Sequence, residues 1–321
     1  MFKALLAPLL FASAGALALP QCPEPQRMEL DYPAPSFAVT GFDHSANRFI
    51  SLLPSYHMVH DLVLAEGQGA TLTAKFDYGT LVHKDLEDEK VRFYLRGPQQ
   101  GSWQFLGQGT TNSDGKASIA LPALAAGQYR IYAGVPGDGS GAQGFVTVIQ
   151  PGTQAVLFDI DGTLTESDAE QLGDYTGIDR ADPKDGAYSL VRRYLDLGYQ
   201  PVFLTARVYW YAKGSRSWLD WMGLPQGFLR TSLSNEDSLF NPRAYKAAQI
   251  RALQAQGLNI VRAYGNAKSD AEAFIDAGIP PSSTFTIGSD AGYNGTTPIA
   301  GNSYGQHIAE AVDSFPAAAC Q

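Results

Sequence analysis

Between residues 56 and 150, short runs alternate apolar and polar positions. ATLTAKF places Leu72, Ala74 and Phe76 on one face, and VRFYL, SWQFLGQG, KASIAL, QYRIYAGV and FVTVI follow it. Turn signals separate the runs: Arg96-Gly97-Pro98, Ser113-Asp114-Gly115, and GDGSG at 137–141. Several short strands at this spacing, broken by glycine and aspartate turns, predict an all-β sandwich over 56–150. Residues 19–55 are proline-rich, with PQCPEPQ and YPAPS, and predict an irregular lead-in.

At Pro151-Gly152 the period changes. AVLFDI is a continuous apolar run, as in a strand buried on both faces. From Asp185 to Gly198, the residues Ala187, Leu190, Val191, Tyr194 and Leu195 recur at i, i+3, i+4, i+7 and i+8, which predicts an amphipathic helix. PVFLT is the next strand, and an aromatic-rich helix follows near 213–222. Asn241-Pro242 opens another helix, with asparagine at the cap and proline at the first helical position. A strand near 259–264, a helix over about 269–277 and the strand TFTI complete the pattern. Strands alternating with helices predict an α/β, doubly wound parallel sheet over 151–321.

Composition narrows the possibilities. The chain has 321 residues, enough for about two domains. Hydrophobic residues are 45% and aromatics 11%, which excludes a disordered chain. The net charge of −9 argues against a general nucleic-acid binder, because phosphate-backbone binding needs dense Lys and Arg. Two cysteines are too few for a disulfide scaffold or a four-cysteine zinc site.

Residues 1–18, MFKALLAPLLFASAGALA, combine an early Lys3, an apolar stretch and Ala16-Leu17-Ala18. That is the layout of a secretory signal peptide cleaved after Ala18, and it predicts an exported, periplasmic or secreted protein. The rival reading is a membrane anchor, for which the stretch is short. Export would permit a disulfide between Cys22 and Cys320; the alternative is two unpaired thiols on frayed ends.

The candidate chemistry sits at strand ends. The first strand of the second half runs into Asp159-Ile160-Asp161-Gly162-Thr163-Leu164-Thr165. Two carboxylates leaving a buried strand repel each other unless a cation lies between them. The next strand ends in Thr205-Ala206-Arg207, and a later one in Gly265-Asn266 with Asp270 beyond it. In an open α/β sheet these ends face one crevice. Lys246 lies near a helix start and completes the set.

The ordered motifs DIDGTLT at 159–165, FLTAR at 203–207, Lys246 and GNAKSD at 265–270 resemble the haloacid dehalogenase superfamily. With LPQG at 224–227 and YGNAKSDAEAFIDAGI at 264–279, residues 155–290 are similar to the lipin-type catalytic domain, a magnesium-dependent phosphatidate phosphatase. Non-catalytic relatives in some phosphatidylinositol-transfer proteins bind phosphatidate without hydrolysing it. The module at 111–133 also loosely resembles immunoglobulin-like or transthyretin-like folds. The resemblance implies a haloacid dehalogenase-like fold with no large cap. It also implies Asp159 as nucleophile and Asp161 as general acid and base, with Thr205 and Lys246 on the phosphate oxygens. Gly162, Thr163, Ala206 and Arg207 would line the substrate. A Mg2+ ion would use Asp159, the Asp161 carbonyl and Asn266, with Asp270 a ligand or a support.

The expectation is therefore an exported magnesium-dependent hydrolase cleaving phosphatidate or a similar phospholipid monoester, in peripheral contact with a membrane. The alternatives are a periplasmic phosphatase for soluble phosphomonoesters and a non-catalytic phosphatidate-binding module. Each residue has a plainer reading: Thr205 could end a strand, Lys246 could be a solvated charge with Lys268 as its rival, and Arg207 could brace a loop. Tyr209, Trp210, Tyr211, Trp218 and Trp221 read as helix core, or as an interfacial rim beside the site. His57 and His60 have no third ligand nearby and read as structural. The sequence names no protein partner for the sandwich.

Overall fold

A computed structural model describes residues 32–80, 82–98, 100–166, 181–225, 228–232 and 241–319. Residues 1–31, Cys320 and parts of the DIDGTLTESDA and LPQG stretches lie outside the described residues, and with them the leader and the Cys22–Cys320 question.

Ten strands build the first half: β1 Met58–Val59, β2 Leu62–Ala65, β3 Ala70–Lys75, β4 Asp77–Gly79, β5 His83–Asp85, β6 Lys90–Arg96, β7 Gln104–Thr110, β8 Lys116–Leu121, β9 Gly127–Gly134 and β10 Gly141–Ile149. One sheet has the order β1-β3-β8, a second the order β2-β10-β9-β6-β7, and β4 and β5 form a hairpin. The alternation read from ATLTAKF faces inward: Leu72, Ala74 and Phe76 are fully buried, against Val91, Phe93, Ile131 and Val146. The segment before the sandwich is less irregular than its prolines predict. It carries a short helix, α1 Asn47–Ile50. The Asn47 side chain donates to the Glu87 carbonyl at 2.8 Å and to the buried Glu89 carboxylate at 2.9 Å, and the Asp43 and His44 amides donate to Glu89 as well. These partners lie 40 or more residues away, so no local pattern announces them.

The second half is a six-stranded sheet, β11 Gln154–Asp159, β12 Gln200–Leu204, β13 Leu229–Arg230, β14 Asn259–Gly265, β15 Thr284–Thr286 and β16 Thr297–Pro298, in the order β13-β12-β11-β14-β15-β16. Every pairing in it is parallel. Among the described residues, four helices of nine or more residues accompany it: α2 Ala187–Asp196, α3 Ala212–Trp221, α4 Pro242–Ala255 and α5 Lys268–Asp276. Alternate residues of β11 enter opposite cores. Val156 and Phe158 pack with Leu190, Val191 and Tyr194 of α2, while Ala155 and Leu157 pack with Ile250 of α4 and Phe274 of α5. The five apolar positions read for α2 are all buried. The Asn241 side chain caps α4, accepting from the Ala244 amide at 3.0 Å.

The halves share packing. Val63 of β2 and Ile149 of β10 belong to the same apolar cluster as Ala155 and Leu157. Arg216 of α3 reaches Asp61 at 2.6 Å, and the Tyr209 hydroxyl donates to Asp77 at 2.6 Å. Among the described residues no helix is long and apolar enough to cross a membrane.

Candidate functional site

β11 lies between β12 and β14, so its carboxyl end opens beside theirs. This position brings the sequence-predicted residues together. Asp159 ends β11 and is almost fully buried. Gly162 follows with φ +69°, a left-handed conformation that lets the chain turn back so that the Leu164 amide bonds the Ile160 carbonyl. Thr163 is thereby placed under Asp159, and its hydroxyl donates to Asp159 Oδ2 at 2.9 Å and lies 3.2 Å from Asn266 Oδ1. At the end of β14, a Cβ on Gly265 would stand 2.5 Å from the Asp270 Cβ, so only glycine permits this approach. The Asp270 carboxylate accepts from the Asn266 and Ala267 amides at 3.2 and 3.1 Å, closing the first turn of α5.

The charged groups are paired with one another. Lys246 Nζ sits between Asp159 Oδ1 at 2.6 Å and Asp270 Oδ1 at 2.5 Å. Burial alone would push the Lys246 ammonium down, but the two carboxylates outweigh it and hold it above the ordinary lysine value. Burial, then the neighbouring Asp270 charge, pushes the Asp159 carboxyl well up, against the pull of Lys246. Asp161 is engaged at both oxygens. Arg207 Nε and Nη2 donate to Oδ1 at 2.7 and 2.6 Å, and the Thr205 hydroxyl donates to Oδ2 at 2.7 Å.

Sequence reasoning thus located the site but not its internal pairing. Thr205 and Arg207, predicted to line a phosphate, pair with Asp161, and Lys246 pairs with Asp159 and Asp270. Ala206 packs half-buried against the α4–α5 core. Lys268, the rival of Lys246, is an exposed charge 3.9 Å from Asp290. The aromatic run divides: Tyr209 and Trp218 are buried, with the Trp218 indole donating to the Ala181 carbonyl at 2.8 Å, while Trp221 is 49% exposed. Two supporting residues escaped notice. Ser215 of α3 lies 3.3 Å from Arg207 Nη1, and the buried Tyr304 hydroxyl donates to the Thr163 carbonyl at 2.9 Å. Tyr304 is 141 residues from its partner, and nothing local marks it.

When all three ionise, Asp159, Asp161 and Asp270 set three negative charges against Lys246 and Arg207, an excess of one, and the upward push on the Asp159 carboxyl opposes that state. Among the described residues no group of three or more His, Cys, Asp or Glu side chains is arranged to hold a metal ion. Both Asp270 oxygens are already bonded, as are both Asp159 oxygens, to Lys246 and Thr163. Asp159, Asn266 and the Asp161 carbonyl are hard oxygen donors of the kind magnesium takes.

Residues 55–148 match the family model described as PITM 1-3, beta-sandwich domain, and residues 156–288 match PITM 1-3, LNS2 domain. Membrane-associated phosphatidylinositol transfer protein 1 of Homo sapiens is 35% identical over 242 residues, covering 73% of this chain and 18% of the relative. Protein retinal degeneration B of Drosophila melanogaster is 30% identical over 240 residues, covering 72% and 18%. Membrane-associated phosphatidylinositol transfer protein 3 of Mus musculus is 30% identical over 261 residues, covering 79% and 26%. The chain therefore spans about a fifth to a quarter of the length of these relatives.

These matches correct four expectations. The second half is matched by the LNS2 model of PITM 1-3 proteins, so the lipin-type catalytic assignment is replaced. The relatives are transfer proteins by name, which overturns the phosphatidate phosphatase and the hydrolase class with it. The relatives are membrane-associated by name, which overturns the expectation of export. Two adjacent domain models in the same order, with relatives aligned across some 240 residues, point to the PITM 1-3 phosphatidylinositol transfer family.

Proposed function

We propose that this chain is a phospholipid head-group recognition module that acts at a membrane surface in phospholipid transfer and leaves its ligand intact. The observation that supports it most is the meeting of Thr205, Arg207 and Lys246 at the strand ends, each held in place by a carboxylate. A head-group phosphate would exchange with Asp161 for the Arg207 fork, whose planar geometry suits phosphate. The site's excess negative charge opposes such an anion by itself. A magnesium ion held by Asp159, Asn266 and the Asp161 carbonyl, with Asp270 positioning Lys246 and the Asn266 amide, would reverse that excess and supply electrostatic attraction for the phosphate. It would also lower the magnitude of the chain's net charge of −9 by two, easing repulsion from an anionic membrane. In this reading Gly162 and Thr163 shape the turn under Asp159, and Ala206 spaces Thr205 from Arg207. The sheet, in this reading, is a doubly wound, haloacid dehalogenase-like scaffold whose strand-end site faces a bilayer.

The test is co-sedimentation with phosphatidylcholine vesicles carrying phosphatidylinositol or phosphatidate, in magnesium and in EDTA, with phosphate release followed in parallel. Binding to the anionic vesicles, weakened about tenfold by EDTA or by Arg207→Leu and without phosphate release, is the expected result. Equal binding to plain phosphatidylcholine, or no effect of Arg207→Leu, would refute it.

A further inference from the structure

A second cavity lies between the two halves of the chain and shares no residue with the strand-end site. Its volume is about 160 Å³, and β1, β2, β3, α3, β13 and α4 contribute to its lining. Its walls carry His60, Asp61, Arg216, Arg230 and Gln249, with Thr71 and Thr73 from the sandwich. Among the described residues, His60 Nε2, Asp61 Oδ2 and Arg230 Nε of this lining are buried without a hydrogen-bond partner. Asp61 Oδ1, by contrast, accepts from the Phe145 amide at 2.7 Å and from Arg216 at 2.6 Å, and Arg230 Nη1 donates to the Asp61 carbonyl.

Leaving such atoms unbonded in a protein interior is costly, and a space of this size accommodates a partner for them. Their chemistry describes that partner. Arg230 Nε is a donor. His60 is neutral, because burial and then the Arg230, Lys116 and Lys75 charges push it down to about 3; its Nε2 can therefore donate in one tautomer. Burial pushes the Asp61 carboxyl up, against the pull of Arg216 and Arg230, and when it is ionised Oδ2 is an acceptor. Arg216 and Arg230 set two positive charges against the single Asp61.

We infer that this inter-domain cavity binds a hydroxyl-bearing oxyanion, whose unprotonated oxygens accept from Arg230 Nε and His60 Nε2 while its O–H donates to Asp61 Oδ2. Hydrogen phosphate has both features, as does a phosphorylated polyol head group. Sulfate carries no proton at neutral pH and would set a lone pair against Asp61 Oδ2.

The experiment follows the His60 imidazole signals by NMR in the full chain while inorganic phosphate, sulfate or a water-soluble short-chain phosphatidylinositol is added, with affinities from calorimetry. Inorganic phosphate should move the His60 signals and bind about a hundredfold tighter than sulfate, as a buried acceptor demands of its ligand. Arg230→Gln and the milder Gln249→Leu should weaken that binding about tenfold or more, whereas Lys246→Met at the strand-end site should leave it unchanged. Movement with phosphate but not with the lipid assigns the free ion, and movement with the lipid assigns the head group. His60 signals that move with neither ligand overturn the site. Equal affinity for sulfate overturns the role of Asp61, and loss of binding on Lys246→Met assigns the ion to the strand ends instead. Loss of vesicle binding alone, with the His60 response kept, would fall on the proposed function and not on this cavity.

Discussion

Removing the Lys246 ammonium tests the electrostatics of the site most directly. In Lys246→Met the aliphatic volume is kept, but Asp159 and Asp270 are left in a buried space without the cation that lies 2.6 and 2.5 Å from them. Breaking one partner out of a buried ionic group costs about 3–5 kcal/mol, because an uncompensated charge remains behind. At roughly 2–4 °C per kcal/mol, the melting midpoint should fall by roughly 6–20 °C near neutral pH. The deficit must also depend on pH. The wild-type lysine is held above its ordinary value, so its contribution is constant at every pH well below about 10. The Asp159 carboxyl is already raised by burial and rises further once the cation is gone. A raised acid loses stability as pH climbs above its unfolded value of about 3.9, so the variant's deficit should be largest at pH 7–8 and shrink towards pH 4. Urea unfolding of both proteins across that range measures it. A deficit below about 1 kcal/mol, or one that stays flat with pH, would refute a charged, buried Asp159–Lys246–Asp270 group.

Other consequences can be checked alongside. Gly265→Ala should destabilise by about 1–3 kcal/mol and weaken anionic-vesicle binding, since the new Cβ would push Asp270 away from Lys246; wild-type stability would contradict that crowding. Asn241→Ala should cost about 0.5–2 kcal/mol in denaturant unfolding through the lost cap of α4, with no change at the sandwich. His60 is depressed to about 3, so its contribution is complete above about pH 6.5 and is lost as pH falls towards that value. His60→Phe should therefore flatten the acid limb of the stability curve by about 1.4 kcal/mol per pH unit between pH 6 and 4, and unchanged slopes would mean His60 protonates freely.

The sequence by itself determined what depends on local pattern. Alternation in ATLTAKF and the 3.6-residue repeat of 185–198 are consequences of which face each element must bury, and the structure buries those residues. Motif order likewise decided which strand ends carry Asp159, Thr205 and Asn266, because a parallel sheet collects its carboxyl ends on one edge. Resemblance then carried the reading too far, to a phosphatase, because a motif records residue types and not the bonds they make. Only the tertiary structure decided that Arg207 and Thr205 hold Asp161, that Lys246 separates two aspartates, and that Glu89 gathers the segment before the sandwich. The cavity around His60 and Arg230 exists only where the two halves meet. Each of these depends on groups dozens to more than a hundred residues apart, brought together by burial of apolar surface that favours no polar pairing by itself. Charge and hydrogen-bond geometry select the partners only once the fold has placed them within reach.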